Sequence, residues 1–258
     1  MSRAVVGVSL KAYLGMQQTE DWLRSVRGRL TGSPVELFVI PSYLAVPMAV
    51  QLLSGTGIGV GGQDICAHPA GPWTGDVTAS MLRETGASYA EVGHSERRRL
   101  HGESDDMVAA KLARSVEEGL MPVLCVGEQE PLPVTDACRA VSTQLTARLS
   151  QAPAGSEIMV AYEPEWAIGA DTPAPPDYVV AVVSALRATA TELRMNARVL
   201  YGGSTDQGYF SATRHEHNTS GWPDGLFVGR AALDVDRLAG IVAEVGRVGA
   251  PTSHGGIR

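Results

Sequence analysis

The chain has 258 residues, 44% of them hydrophobic, enough to bury the core of one α/β barrel or of two small domains. A net charge of −7, with no basic stripe interleaved with aromatics, argues against nucleic acid as a partner. Three cysteines, Cys66, Cys125 and Cys138, stand far apart with no Cys-x-x-Cys, which argues against a zinc site or a disulfide framework and fits a reducing cytoplasm.

Val5-Val-Gly-Val-Ser9 reads as a first strand, with Lys11 just past its end as an isolated cation on an apolar segment. That lysine also interrupts the only apolar run near the N-terminus, so neither a signal peptide nor a membrane span is expected there. Trp22, Val26 and Leu30, spaced four apart, give one apolar helical face. Leu37-Phe-Val-Ile40, stopped by Pro41, is a second strand; residues 46–53 read as a helix and 58–62 as a third strand heavy in glycine. Gly57-x-Gly59-x-x-Gly62 has the spelling of a dinucleotide fingerprint, but its glycines lie within the strand and no helix opens after them, so no cofactor is expected. Residues 70–76 form a turn-rich loop around Trp73 and Thr74, either a docking finger or a packed loop.

Residues 77–85 read as a helix and Tyr89-Ala-Glu-Val as the fourth strand, with Gly93-His94-Ser95-Glu96 at its mouth. Ser95 is expected to cap the short helix that follows. The positive end of that helix disfavours an imidazolium at His94, leaving a neutral ring suited to donate to a carbonyl. Ser104-Asp-Asp opens a helix with Val108, Leu112 and Val116 on one face, and Met121-Pro-Val-Leu-Cys-Val126 is the fifth strand, followed by a helix over 135–149. The sixth strand, Ile158-Met-Val-Ala-Tyr162, ends abruptly at Glu163 and Pro164; proline removes a ladder donor, which places Glu163 at the strand's C-terminal mouth. Trp166-Ala167-Ile168-Gly169 is apolar where a loop should be, as expected of a lid that keeps water from a carboxylate. A helix from Pro176 to about residue 193, a seventh strand over 198–201 with Gly202-Gly203-Ser204 behind it, an eighth over 225–228 with Gly229-Arg230, and a closing helix over 233–248 complete the pattern. His215 and His217 invite a metal but lack a third ligand nearby, so none is expected; Asn218-Thr-Ser reads as a polar loop, and residues from about 249 as a frayed tail.

Eight short apolar runs alternating with helical patterns predict an α/β fold, a (β/α)8 barrel spanning the chain as one domain, with every candidate residue at the C-terminal end of a strand. Gly93-His94-Ser95-Glu96-Arg97-Arg98, Tyr162-Glu163-Pro164, Trp166-Ala-Ile-Gly169, Tyr201-Gly202-Gly203-Ser204 and Gly225-Leu-Phe-Val-Gly229-Arg230 together resemble the triosephosphate isomerase family in content, order and approximate spacing, over about residues 6–233. The resemblance implies a TIM barrel acting on a small phosphorylated sugar without cofactor, with Glu163 as the base, His94 polarising the carbonyl, Lys11 stabilising the developing charge and Glu96 orienting the cationic side. It further implies a lid over 164–171, with Pro164 and Glu165 at its hinge and Tyr201 behind it. Phosphate is then expected on the backbone N–H groups of Gly169, Ser204, Gly229 and Arg230, and a homodimer is expected through Trp73 and Thr74. It places the enzyme in glycolysis and gluconeogenesis.

Three departures accompany the resemblance. Ser9 stands where the family usually has asparagine, with Ala12-Tyr13 after the lysine in place of Met-Asn; Glu165 replaces the valine of the lid hinge; Arg230 replaces the second glycine after strand eight. Ser9, Trp73 and Gly229-Arg230 look like the family's paralogues that isomerise erythrulose phosphates in sugar-alcohol catabolism, so dihydroxyacetone phosphate and a four-carbon phosphosugar are the alternative substrates. A barrel that binds a phosphorylated ligand without turnover is the alternative from outside enzymology.

Overall fold

The computed structural model describes residues 3–214 and 221–249, so His215, His217, Asn218 and the tail beyond 249 lie outside the described residues. Eight strands, all parallel, close in chain order: β1 Val5–Ser9, β2 Glu36–Ile40, β3 Gly59–Gly62, β4 Tyr89–Val92, β5 Met121–Val126, β6 Glu157–Tyr162, β7 Asn196–Tyr201 and β8 Gly225–Val228. The seam is β1 on β8, in register from Val5 with Gly225 to Val8 with Val228. Around them run α1 Met16–Leu30, α2 Val46–Leu53, α3 Ala79–Glu84, α4 Ser95–His101, α5 Asp105–Glu117, α6 Val134–Arg148, α7 Pro176–Glu192, α8 Tyr209–Ala212 and α9 Val235–Val248. This is the (β/α)8 barrel that the alternation predicts.

Strand side chains alternate, and the two faces build two cores. One set, including Val6, Val8, Leu37, Val39, Leu124 and Val160, packs outward against the helices. The other, including Val5, Phe38, Ile40, Val123, Cys125, Met159 and Phe227, fills the barrel itself. Phe38 and Tyr89 stack there with centroids 4.2 Å apart. Their bulk explains the glycines of β3: a Cβ at Gly59 would meet the Tyr89 ring at 2.4 Å, and one at Gly61 would meet Tyr89 at 2.8 Å. Of the apparent dinucleotide motif, Gly59 makes room for aromatic packing, whereas Gly62 makes room for Leu82. Below this layer Arg198 pairs with Glu36, which also accepts from the Tyr89 hydroxyl at 3.0 Å.

Helix ends correct the sequence reading in two places. α3 is shorter than expected because the Thr78 hydroxyl accepts from the Met81 N–H and Thr85 already terminates it. The cap of α4 is His94, with Ser95 inside the helix: the extended backbone falls one residue earlier, and the imidazole Nδ1 accepts the Glu96 N–H at 3.1 Å. α8 had no signal in the sequence reading at all. Among the described residues no helix is long and apolar enough to cross a membrane.

Candidate active site

Several strand ends present groups to the C-terminal mouth. Lys11 follows β1 by two residues in a left-handed backbone conformation, φ 47°, with its carbonyl oxygen accepting from the Gln63 amide at 2.7 Å. Its ammonium lies 2.8 Å from Glu96 Oε1. Burial works against that charge, but Glu96, Glu163 and Glu91 together outweigh it and hold the Lys11 pKa above the usual lysine value. In return Glu96, partly desolvated, is held below the ordinary carboxylate value by Lys11.

His94 and Glu163 are 4% and 6% exposed. Because Nδ1 accepts a backbone N–H, its lone pair is committed and the ring's single proton sits on Nε2, which makes the imidazole neutral and leaves Nε2–H as a donor. Nε2 lies 3.4 Å from Glu163 Oε2, and neither atom has a hydrogen-bond partner among the described residues. A proton donor and a proton acceptor, both buried and both unspent, thus face the same small volume. Gly202 leaves the room for it, since a Cβ there would meet the Glu163 Cγ at 2.5 Å.

The segment expected as a lid, residues 164–171, is tied to the loops after β5 and β7. Its hinge forms one 3-10 turn, Glu165–Ala167. Glu128, at the end of β5, accepts at its carboxylate from the Trp166 indole at 2.9 Å and from the Tyr162 and Tyr178 hydroxyls, while its carbonyl accepts the Glu165 N–H. The Glu165 side chain pairs with Arg98, whose Nε also holds the Gly93 carbonyl at 3.2 Å, so the extra hinge charge is spent on the strand-four loop. At the far end the Ala174 N–H donates to the Tyr201 hydroxyl at 3.2 Å. Ser204 donates its N–H to the Ala167 carbonyl at 2.9 Å and its hydroxyl to the Ala170 carbonyl at 2.7 Å. The Ser204 N–H expected to meet phosphate is therefore engaged with the lid in this conformation. Arg230 reaches back across the mouth, its Nη2 donating to the Gly169 carbonyl at 3.2 Å. Gly169, Ser204, Gly229, Arg230 and Lys11 line one hollow of about 300 Å³. Trp73 stands on an exposed loop outside the mouth, its ring stacked on His68 and its indole donating to the Pro69 carbonyl; Thr74 is exposed beside it. Cys66, Cys125 and Cys138 are free thiols.

The sequence reading passed over Glu91. It lies on β4, is 3% exposed, and accepts from the Ser9 hydroxyl at 2.9 Å. The signal was there: alternation puts Glu91 on the same inward face as Tyr89, where an unpaired charge is out of place. Glu128 carries no signal in the sequence, although its carboxylate accepts from the Trp166 indole at the hinge.

A closed barrel whose mouth holds a buried carboxylate opposite a neutral imidazole is the arrangement of an isomerase that works by proton transfer. The sequence model of the triosephosphate isomerase family matches residues 4–245, and the chain belongs to that family. It is 37% identical over 254 residues to the L-erythrulose-1-phosphate isomerase of Pectobacterium atrosepticum, covering 94% of this chain and 95% of that protein. It is 36% identical over 256 residues to the triosephosphate isomerase of Thermus thermophilus, covering 95% and 100%, and 38% identical over 216 residues to that of Leifsonia xyli, covering 81% and 82%.

Proposed function

We propose that this chain interconverts phosphosugar isomers by moving a proton between adjacent carbons through an enediolate. The facing pair of unspent atoms, Glu163 Oε2 and His94 Nε2, carries this reading. Glu163 removes the proton from the carbon beside the carbonyl, the His94 Nε2–H polarises the carbonyl oxygen and relays the proton, and the Lys11 ammonium stabilises the negative charge that develops. The phosphate occupies the hollow of Gly169, Ser204, Gly229 and Arg230, and the lid holds water from an enediolate that would otherwise eliminate phosphate. Glu163→Gln keeps the shape and removes the base: kcat falls on the order of 10³-fold while the affinity for a phosphorylated inhibitor changes little. A variant that retains wild-type turnover, or a wild-type protein that only binds, defeats the proposal.

Dihydroxyacetone phosphate and glyceraldehyde 3-phosphate are the first substrate pair to test, since the family's triosephosphate isomerases share the reaction type. The conversion of L-erythrulose 1-phosphate to D-erythrulose 4-phosphate is the second reading, and the Ser9–Glu91 pair favours it, because it adds polar acceptor capacity to the site away from the phosphate hollow. Both place the chain in carbohydrate metabolism in the cytoplasm, as one barrel domain. The exposed loop of Trp73 and Thr74 supports a homodimer in which Thr74 reaches the partner's mouth; sedimentation at micromolar concentration as a monomer refutes it.

A further inference from the structure

Strand β4 brings to the mouth a carboxylate that proton transfer on a triose phosphate does not use. Tyr89 is in the barrel interior, so Glu91 stands on the same face one layer closer to the reacting atoms. Only the Ser9 hydroxyl donates to it among the described residues, and that bond occupies Oε2 alone. Burial pushes the Glu91 pKa up to about 7; Glu163 adds to this, while His94, the Ser9 hydroxyl and Lys11 oppose it. A carboxylate so placed and met by a single neutral donor does little for the barrel that a hydrocarbon of the same volume would not do better.

Its position relative to the phosphate hollow gives it a use. Glu91 lines a second cavity, of about 330 Å³, with Ser9, Gln63, His94 and Glu96. Lys11 borders both cavities. A substrate held by its phosphate in the first and reacting between Glu163 and His94 extends, if it is longer, toward the second. In a triose phosphate the enediolate's far carbon carries hydrogen. In a 1-phosphotetrulose the proton leaves C3 and returns to C2, so that carbon carries a hydroxymethyl group, whose hydroxyl needs an acceptor once water is excluded.

We propose that Glu91, oriented by Ser9, is a specificity-determining residue that accepts the hydrogen bond of this terminal hydroxyl and so selects a four-carbon phosphosugar. The proposal rests on the isomerase reading above and decides between its two substrates. The test is kcat/KM on L-erythrulose 1-phosphate and on dihydroxyacetone phosphate for the wild type, Glu91→Leu, Glu91→Gln and Ser9→Ala, each checked by circular dichroism. The wild type should prefer the tetrulose, and the ratio of tetrulose to triose kcat/KM should fall at least tenfold in Glu91→Leu and less in Glu91→Gln, which keeps an acceptor. If Glu91→Leu does not fold, the Gln and Ala variants read the same ratio. Equal losses on both substrates overturn the proposal, because they mark a structural role. A wild type that turns over only the triose overturns it while leaving the isomerase reading intact, and one that turns over neither removes both.

Discussion

Asp64, Glu103, Lys111 and Arg97 form one buried cluster of charge; Glu91, His94 and Glu163, on the same side of the barrel, form another. In the first, the Lys111 ammonium sits 2.8 and 2.6 Å from the two Asp64 oxygens and 2.6 Å from Glu103, and Arg97 reaches Glu103 at 2.5 Å and Asp64 at 2.6 Å. Two cations answer two carboxylates. In the second, two carboxylates face a neutral ring, and the nearest ammonium is shared with Glu96. Neighbouring strands of one fold thus hold charge in two ways. Mutual pairing fixes the loops after β3 and β4, whereas incomplete pairing keeps hydrogen-bonding capacity available for a ligand.

The sharpest way to break this contrast is Lys111→Met. It leaves two buried carboxylates to share Arg97 alone and should cost about 3 kcal/mol in denaturant unfolding; a loss below about 1 kcal/mol means that the cluster relaxes into water and the distinction fails. Glu91→Gln tests the other side. A carboxyl whose folded pKa is near 7, against 4.5 for a free glutamate, binds more protons folded than unfolded between those values, so it removes stability as pH rises through that window. Measured at pH 5 and pH 8, the Gln variant should gain on the wild type by on the order of 3 kcal/mol at the higher pH. A pH-independent difference contradicts the assignment of a raised pKa. The smallest effect belongs to the exposed rim: Arg230→Ala removes one hydrogen bond to the lid, about 1 kcal/mol, and should raise KM severalfold with little change in thermal unfolding. An unchanged KM shows that Ser204, Tyr201 and Glu128 hold the lid without it.

The strands and the mouth were legible because period two and strand-ending prolines are local signals: Glu163 before Pro164 locates itself. What escaped depended on contacts between distant segments. Glu91 shows in the sequence as a charge on an inward face, but its partner Ser9, which β1 brings beside it, lies 82 residues away. Glu165 shows in the sequence only as a charge replacing the hinge valine, and its partner, Arg98, lies 67 residues earlier. The cap of α4 was misplaced because serine is a common capping residue and histidine is not, and only the backbone shows which of the two is extended. Gly59 and Gly61 of the third strand gain their meaning from Phe38 and Tyr89, neither of which adjoins them in the chain.

The left-handed turn at Lys11 sets selection against itself. A non-glycine residue at φ 47° carries roughly 1 kcal/mol of backbone strain that glycine would not. The ion pair lost with Lys11 offsets little of that, since Glu96 is 39% exposed. A lineage of this barrel relieved of catalysis should therefore drift to glycine at position 11 and melt higher for it. On the role proposed for Lys11, that position trades stability for turnover.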